Sequence, residues 1–151
     1  TKGTTTGYPP PDSDEANIDY RPGFDKVRAK LAHSGMMEID RVIARRSRIA
    51  KFYLEGLAAC EKVALPAYPD DKSPVFMRFP VRVRAAGKAA FYKQCVKKKV
   101  DLAFTFSYSC APDIEKFPHA VSAAETVLNL PVYSKLTDND LQKIKDVIVS
   151  I

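Results

Sequence analysis

The hydrophobic positions of this chain change period several times, and each change marks an element. Between Phe24 and Cys60, Val27, Leu31, Val42, Ile49, Tyr53 and Leu57 fall near one helical stripe, with Arg and Lys between them. At about 1.5 Å of rise per residue this predicts a helix unusually long for a small domain, with Ser34-Gly35 as the place for a kink or break. Leu65 to Lys72 reads as a loop held by Pro66 and Pro69. From Val75 to Arg84 the period is two. Val75, Met77, Phe79, Val81 and Val83 share one face, and Phe76, Arg78, Arg82 and Arg84 share the other. That is a strand with one buried face, and Pro80, having no N–H to donate, makes it an edge strand or marks a bulge. Helical spacing returns over Ala86 to Lys99 through Ala89, Phe91 or Tyr92, Cys95 and Val96. Lys97-Lys98-Lys99 closes that helix with favourable charge for its dipole. Leu102, Phe104, Phe106 and Tyr108 then alternate with Ala103, Thr105 and Ser107, which predicts a second strand.

The last quarter, Phe117 to Ile151, carries the clearest local signals. Pro118 suits the first turn of a helix, where its missing N–H would have no partner. Pro131 belongs to neither a helix nor a central ladder, so Leu130 to Tyr133 is expected to be a short extended piece. Thr137 is a plausible N-cap, with Asp138 and Asp140 against the positive end of the helix dipole. Leu141, Ile144, Val147 or Ile148, and Ile151 then return at helical spacing as the buried face. The order is helix, strand, helix, strand, helix, short strand, helix, without an internal repeat. It predicts an α+β domain: a small, mostly antiparallel sheet with helices on one face and a long N-terminal helix. Ahead of it, Gly3, Gly7 and Pro9-Pro10-Pro11 block helix and sheet. Residues 1–21 are therefore expected to be an irregular arm or linker, and residues 22–151 the domain.

Composition narrows the class without changing this picture. A chain of 151 residues, 46% hydrophobic and 28% charged, has the make-up of one soluble globular domain. No apolar run approaches the roughly 18 residues that a membrane span needs, and the start of the chain has no signal-peptide pattern. The expectation is a cytoplasmic protein. A net charge of +6, spread over several segments, favours anionic ligands in general but does not point to nucleic acid. Cys60, Cys95 and Cys110 are odd in number and far apart, which fits reduced thiols. His33 and His119 have no partners at metal-ligand spacing.

Two basic sets stand out. Arg78, Arg82 and Arg84 lie on one strand face, where same-face neighbours are about 7 Å apart. They offer a surface for a carboxylate or phosphate, and the plainer reading is a solvated outer face. Arg41, Arg45, Arg46, Arg48 and Lys51 make a basic helix surface, for which solvation is again the plainer reading. Phe104, Phe106 and Tyr108 alternate with small residues as a core face would, rather than as a base-stacking platform. Cys110, in a polar turn, has no histidine near it in sequence to activate it as a nucleophile.

Four segments in order carry a resemblance: Tyr20-Arg21, Arg45-Arg46-Ser47-Arg48-Ile49-Ala50-Lys51-Phe52-Tyr53, Arg78-Phe79-Pro80-Val81-Arg82-Val83, and the run from Leu128-Asn129-Leu130-Pro131-Val132-Tyr133 to Leu136-Thr137-Asp138. Together they resemble the C-terminal end of the DegT/StrS-type aminotransferases, pyridoxal-phosphate (PLP) enzymes of aspartate-aminotransferase fold that act largely on nucleotide-linked sugars. The resemblance implies the small domain of that fold, a long helix bridging to a large PLP-binding domain, a homodimer, and sugar-nucleotide and amino-acid substrates in the full-length context. It also implies roles for particular residues. Lys2-Gly3-Thr4-Thr5-Thr6-Gly7 resembles the Lys-x-x-Thr-Thr-Gly turn that carries the Schiff-base lysine in some members, which makes Lys2 the candidate; a polar chain end is the plainer reading. Arg21 matches the arginine of an Asn-x-Arg pair that reaches the neighbouring subunit's cofactor phosphate. The Asn position is Asp19, whose charge would repel a phosphate. The loop Tyr108-Ser109-Cys110-Ala111-Pro112 is shorter than the family's substrate loop and carries no His. Because the large domain supplies the rest of the cofactor pocket, the isolated chain is expected to hold no PLP and to be inactive. The alternative is a non-catalytic anion-binding or protein-interaction module of the same descent.

Overall fold

The computed structural model describes residues 25–69, 72, 74–84, 87–104 and 114–151. Two helices open it, α1 (Lys26–Met37) and α2 (Ile39–Gly56). Asp25 caps α1, its carboxylate accepting from the N–H groups of Val27 and Arg28 at 2.9 and 2.8 Å. The expected break at Ser34-Gly35 falls instead at Glu38, whose N–H turns back to the carbonyls of Gly35 and Met36. Gly35 stays inside α1, with nothing within 4 Å of where a Cβ would stand. A single glycine on an open helix face weakens the helix by about 1 kcal/mol but does not end it. The apolar stripe also divides. Ile49, Tyr53 and Leu57 are fully buried, whereas Val27 and Leu31 are about 70% exposed and α1 buries no residue.

The sheet has the order β1 (Val63–Ala64), β2 (Phe79–Val83), β3 (Val127–Leu130), antiparallel throughout. Val63 lies opposite Val83, and β2 pairs with β3 through Phe79–Leu130, Pro80–Asn129, Val81–Leu128 and Arg82–Val127. The strand containing Pro80 is therefore central, which corrects the expectation of an edge or bulge. Backbone alternation explains how a proline is tolerated there. The Arg84 N–H donates to Lys62 O at 2.9 Å, so residues 84, 82 and 80 direct their backbone toward β1, and β1 stops opposite Arg82. The missing N–H of Pro80 faces a place where no strand remains.

Alternation holds only within β2. Phe79, Val81 and Val83 are buried, but Val75 and Met77 are exposed and Phe76, from the opposite set, packs on the core. Of the predicted second strand, Ala103 forms a single bridge, exchanging both backbone hydrogen bonds with Asn129 at 3.0 Å. Leu102 is buried and Phe104 packs beside the core, while Phe106, Tyr108 and Cys110 lie outside the described residues, as does the 1–21 arm. Near the end, β3 precedes Pro131 rather than running through Leu130 to Tyr133, because a residue without an N–H ends the ladder.

The helices around the sheet start and end near their sequence signals, although Ala89 and Val96, expected on the apolar face of the next helix, are exposed. The third helix, α3 (Lys88–Lys97), buries Phe91 and Cys95; α4 (Pro118–Thr126) begins on Pro118, after a short 3-10 turn at Ile114–Lys116. The last, α5 (Asp138–Ser150), has a reciprocal cap: Thr137 Oγ1 accepts from the Asp140 N–H, and Asp140 Oδ2 accepts from the Thr137 N–H. It buries Leu141, Ile144, Val147 and Ile148. At the centre of the core, the Tyr53 ring sits 5.3 Å from Phe79, which in turn lies 5.1 Å from Phe76. The Tyr53 hydroxyl donates to Pro131 O at 3.0 Å, and burial, with Tyr133 as a lesser cause, pushes its pKa well above the usual phenol value.

Candidate functional site

The three strand arginines are all exposed, and Arg78 and Arg82 line different depressions. Arg82 points from β2 to the face opposite Phe79, Val81 and Val83 and lines a shallow depression with Leu65, Pro66, Pro80 and Val127. Arg78 lies just before β2 and lines a separate depression with Met77, Leu102, Asn129 and Tyr133. Arg84 follows the strand, its backbone N–H engaged by Lys62. Lys2 and Arg21 lie outside the described residues.

The basic surface of α2 is less solvated than its composition suggested. Arg45 Nη2 donates to Leu136 O at 2.6 Å and pairs with Asp138 Oδ1 at 3.0 Å. It ties α2 to the turn that opens α5, and only about a fifth of its side chain is exposed. Its neighbour Arg46 has a buried Nε without a hydrogen-bond partner. Arg41 and Arg48 are exposed, as expected. No signal in the sequence separated Arg45 from the other four cations, because its partners are 91 and 93 residues away.

Sequence reasoning also missed Lys88. It opens α3 yet is only 7% exposed. Its Nζ donates to Ala124 O at 2.7 Å and sits 4.8 Å above the Phe104 ring. Burial lowers its pKa. The amine thus braces α3 against α4, and a depression lined by Gly87, Ala89, Ala90 and Glu125 opens beside it. Nearby, the Tyr92 hydroxyl donates to Asp101 at 3.0 Å; its pKa is raised by burial first and by that carboxylate second.

Among the described residues, which leave out Cys110, cysteine and histidine chemistry finds little support in the geometry. Cys95 is fully buried, and burial pushes its thiol up to about 11, far from a reactive thiolate. His119 is exposed in the first turn of α4. Among the described residues no group of three His, Cys, Asp or Glu side chains could hold a metal ion. No helix there is long and apolar enough to cross a membrane.

A PLP site needs an amine free to form an imine beside a cradle for the phosphate. The buried amine described here, Lys88, is committed to a carbonyl beneath an aromatic ring, and Arg78 and Arg82 line separate, open depressions. The described residues do not compose such a site by themselves.

A three-stranded antiparallel sheet flanked by α2, α3, α4 and α5 is an α+β domain of the kind found in sugar aminotransferases. The aminotransferase CalS13 from Micromonospora echinospora superposes on it with a TM-score of 0.75 at 23% identity, covering 92% of this chain and 38% of that one. The PLP form of Spr1654, a putative sugar aminotransferase from Streptococcus pneumoniae, gives a TM-score of 0.72 at 17% identity, over 82% of this chain and 34% of its own. The chain belongs to the DegT/DnrJ/EryC1/StrS aminotransferase family, whose sequence model matches residues 15–149. In sequence it is 29% identical over 116 residues to dTDP-3-amino-3,4,6-trideoxy-alpha-D-glucose transaminase of Streptomyces venezuelae, covering 72% of this chain and 31% of the relative. The chain therefore spans about a third of the length of the relatives it matches.

Proposed function

We propose that the chain is the C-terminal part of a PLP-dependent aminotransferase that acts on nucleotide-linked or related keto-sugars. The observation that carries this reading is the family match across residues 15–149. The relative's name supports the substrate class, and the PLP form of the S. pneumoniae neighbour supports the cofactor. In this reading Lys2 is the amine that holds the cofactor, and Arg21 reaches the cofactor phosphate of a neighbouring subunit. Arg78, Arg82 and Arg84 are surface cations for the anionic groups of the substrate or for the acidic surface of a large domain. PLP, when bound, supplies an electron sink for amino transfer.

Two tests follow. Joined to a large domain of this family, the chain should convert a dTDP-linked keto-sugar and an amino donor to the amino sugar, read by mass spectrometry. Absence of product across a panel of nucleotide-linked keto-sugars would overturn the substrate reading. The 151-residue chain by itself should give no long-wavelength aldimine band with PLP, and borohydride trapping should show no stoichiometric adduct. A full adduct on Lys2 would show instead that the large domain is dispensable for imine formation. The exposed Val27, Leu31, Met36 and Met37 of α1 lead us to expect a homodimer. Light scattering that stays at monomer mass at high micromolar concentration would overturn that expectation.

A further inference from the structure

The turn after α3 holds a lysine in a conformation that suits glycine. Lys99 has φ +60°, the left-handed region. The hydrogen bonds around it define a Schellman turn: the Val100 N–H reaches back to Cys95 O and the Lys99 N–H to Val96 O, both at 2.9 Å. Cys95 and Val100, the two residues whose apolar contact accompanies such a turn, are both buried. Glycine is the usual occupant of the position that Lys99 fills, because a Cβ is strained there.

That lysine borders a groove with two lobes. One lobe is lined by Lys99, Val100, Leu136, Lys143 and Ile144, the other by Met77, Arg78 and Leu102; both include Asp101, Pro131 and Tyr133. Tyr133 lines both lobes and is 55% exposed. Two carboxylates, Asp101 and Asp140, line the first lobe together with the lysines and accept hydrogen bonds from the chain's own donors. Asp140 Oδ2 accepts from the Thr137 N–H and hydroxyl at 2.9 and 2.7 Å, and Asp101 accepts from Tyr92 at 3.0 Å. Lys143 lies near enough to Asp140 to favour its ionised form, while neither its ammonium group nor that of Lys99 makes a hydrogen bond or ion pair among the described residues. An exposed aromatic face, an apolar floor and two ammonium groups at one end match a ligand with a ring and a doubly charged anion.

We propose that this groove binds a small organic phosphate, its ring against Tyr133 and its phosphate between Lys99 and Lys143. Arg78, which lines the other lobe, also has a role in the aminotransferase reading, but the phosphate end and Tyr133 use none of the residues assigned there, so phosphate binding can be tested apart from that reading.

The test is an amide chemical-shift titration of the 151-residue chain with phenyl phosphate and, separately, with inorganic phosphate. Phenyl phosphate should shift Lys99 to Asp101, Tyr133 and Lys143, and bind about fivefold more tightly than inorganic phosphate, as a ring contact of this kind allows. Tyr133→Ala should abolish that difference. Lys99→Gly is the decisive variant, since glycine relieves the backbone strain while removing the ammonium group. It should raise Tm and weaken both ligands by roughly fivefold or more. Shifts that centre on Arg82 instead, or Lys99→Gly binding both ligands as tightly as the parent chain, would overturn the proposal.

Discussion

The first and last helices make an instructive pair. Both are about the same length, 12 residues in α1 and 13 in α5, and both begin with a side chain that caps the first turn. Asp25 accepts from the second and third N–H groups of its helix, and Thr137 from the third of its own. Their fates differ in burial. Four residues of α5 are buried, with Ile148 wholly so, whereas α1 buries none. An isolated helix of this length is marginal in water, and most helical stability in proteins comes from packing one face. Local signals thus start both helices, but only α5 is held by the core. The same contrast runs within the first stripe of the sequence, where Tyr53 is locked between Phe79 and Pro131 while Leu31 stands in solvent.

The largest expected effect tests the buried end of that contrast. Tyr53→Ala should destabilise the chain by about 3–5 kcal/mol, the cost of deleting a large ring from a packed core. Tyr53→Phe should cost only about 1 kcal/mol, for the bond to Pro131. Urea midpoints at constant m-value distinguish the two. If both substitutions cost the same, the hydroxyl rather than the ring organises the core.

Next, Ile148→Ala in α5 should cost about 2–5 kcal/mol. The matched change Leu31→Ala in α1 should stay within about 0.5 kcal/mol, as surface substitutions do. A large loss from Leu31→Ala in the monomer would mean that α1 has a partner within the chain, and the comparison would fail.

Capping is worth less than burial but should act at both ends. Thr137→Ala is expected to cost about 1 kcal/mol of global stability. Asp25→Ala should instead leave the global midpoint unchanged and speed amide hydrogen exchange only within α1. Equal global losses from both would show that α1 unfolds with the core.

The smallest effect is the pH dependence of the α5 cap. Hydrogen bonds from the Thr137 side chain and backbone hold the Asp140 pKa below its ordinary 3.8. A depressed folded pKa means that the cap's contribution is complete above that ordinary value and is lost as pH falls through the lower folded one. Asp140→Asn should therefore flatten the acid limb of the stability profile by slightly lowering stability at neutral pH, where the ionised cap contributes, and leaving the acid end unchanged. An unchanged acid limb would assign the slope to other carboxylates.

The sequence alone determined the elements whose causes are local. Pro118 at the start of α4, the Thr137–Asp140 cap, and the buried Leu141, Ile144 and Ile148 were all legible, because a cap and a 3.6-residue period lie within one segment. Phe79, Val81 and Val83 were legible for the same reason at period two. Other features depend on groups distant in the chain. Pro80 sits in a central strand because β1 ends before reaching it, a fact about Val63 and Ala64 rather than about Pro80. Arg45 and Lys88 left solvent because Leu136, Asp138 and Ala124 offered them oxygen atoms from other elements. Lys99 and Lys143 share one groove because the turn after α3 meets the start of α5. Periodicity reports which side of an element is apolar; what lies opposite that side is fixed only when the chain closes on itself.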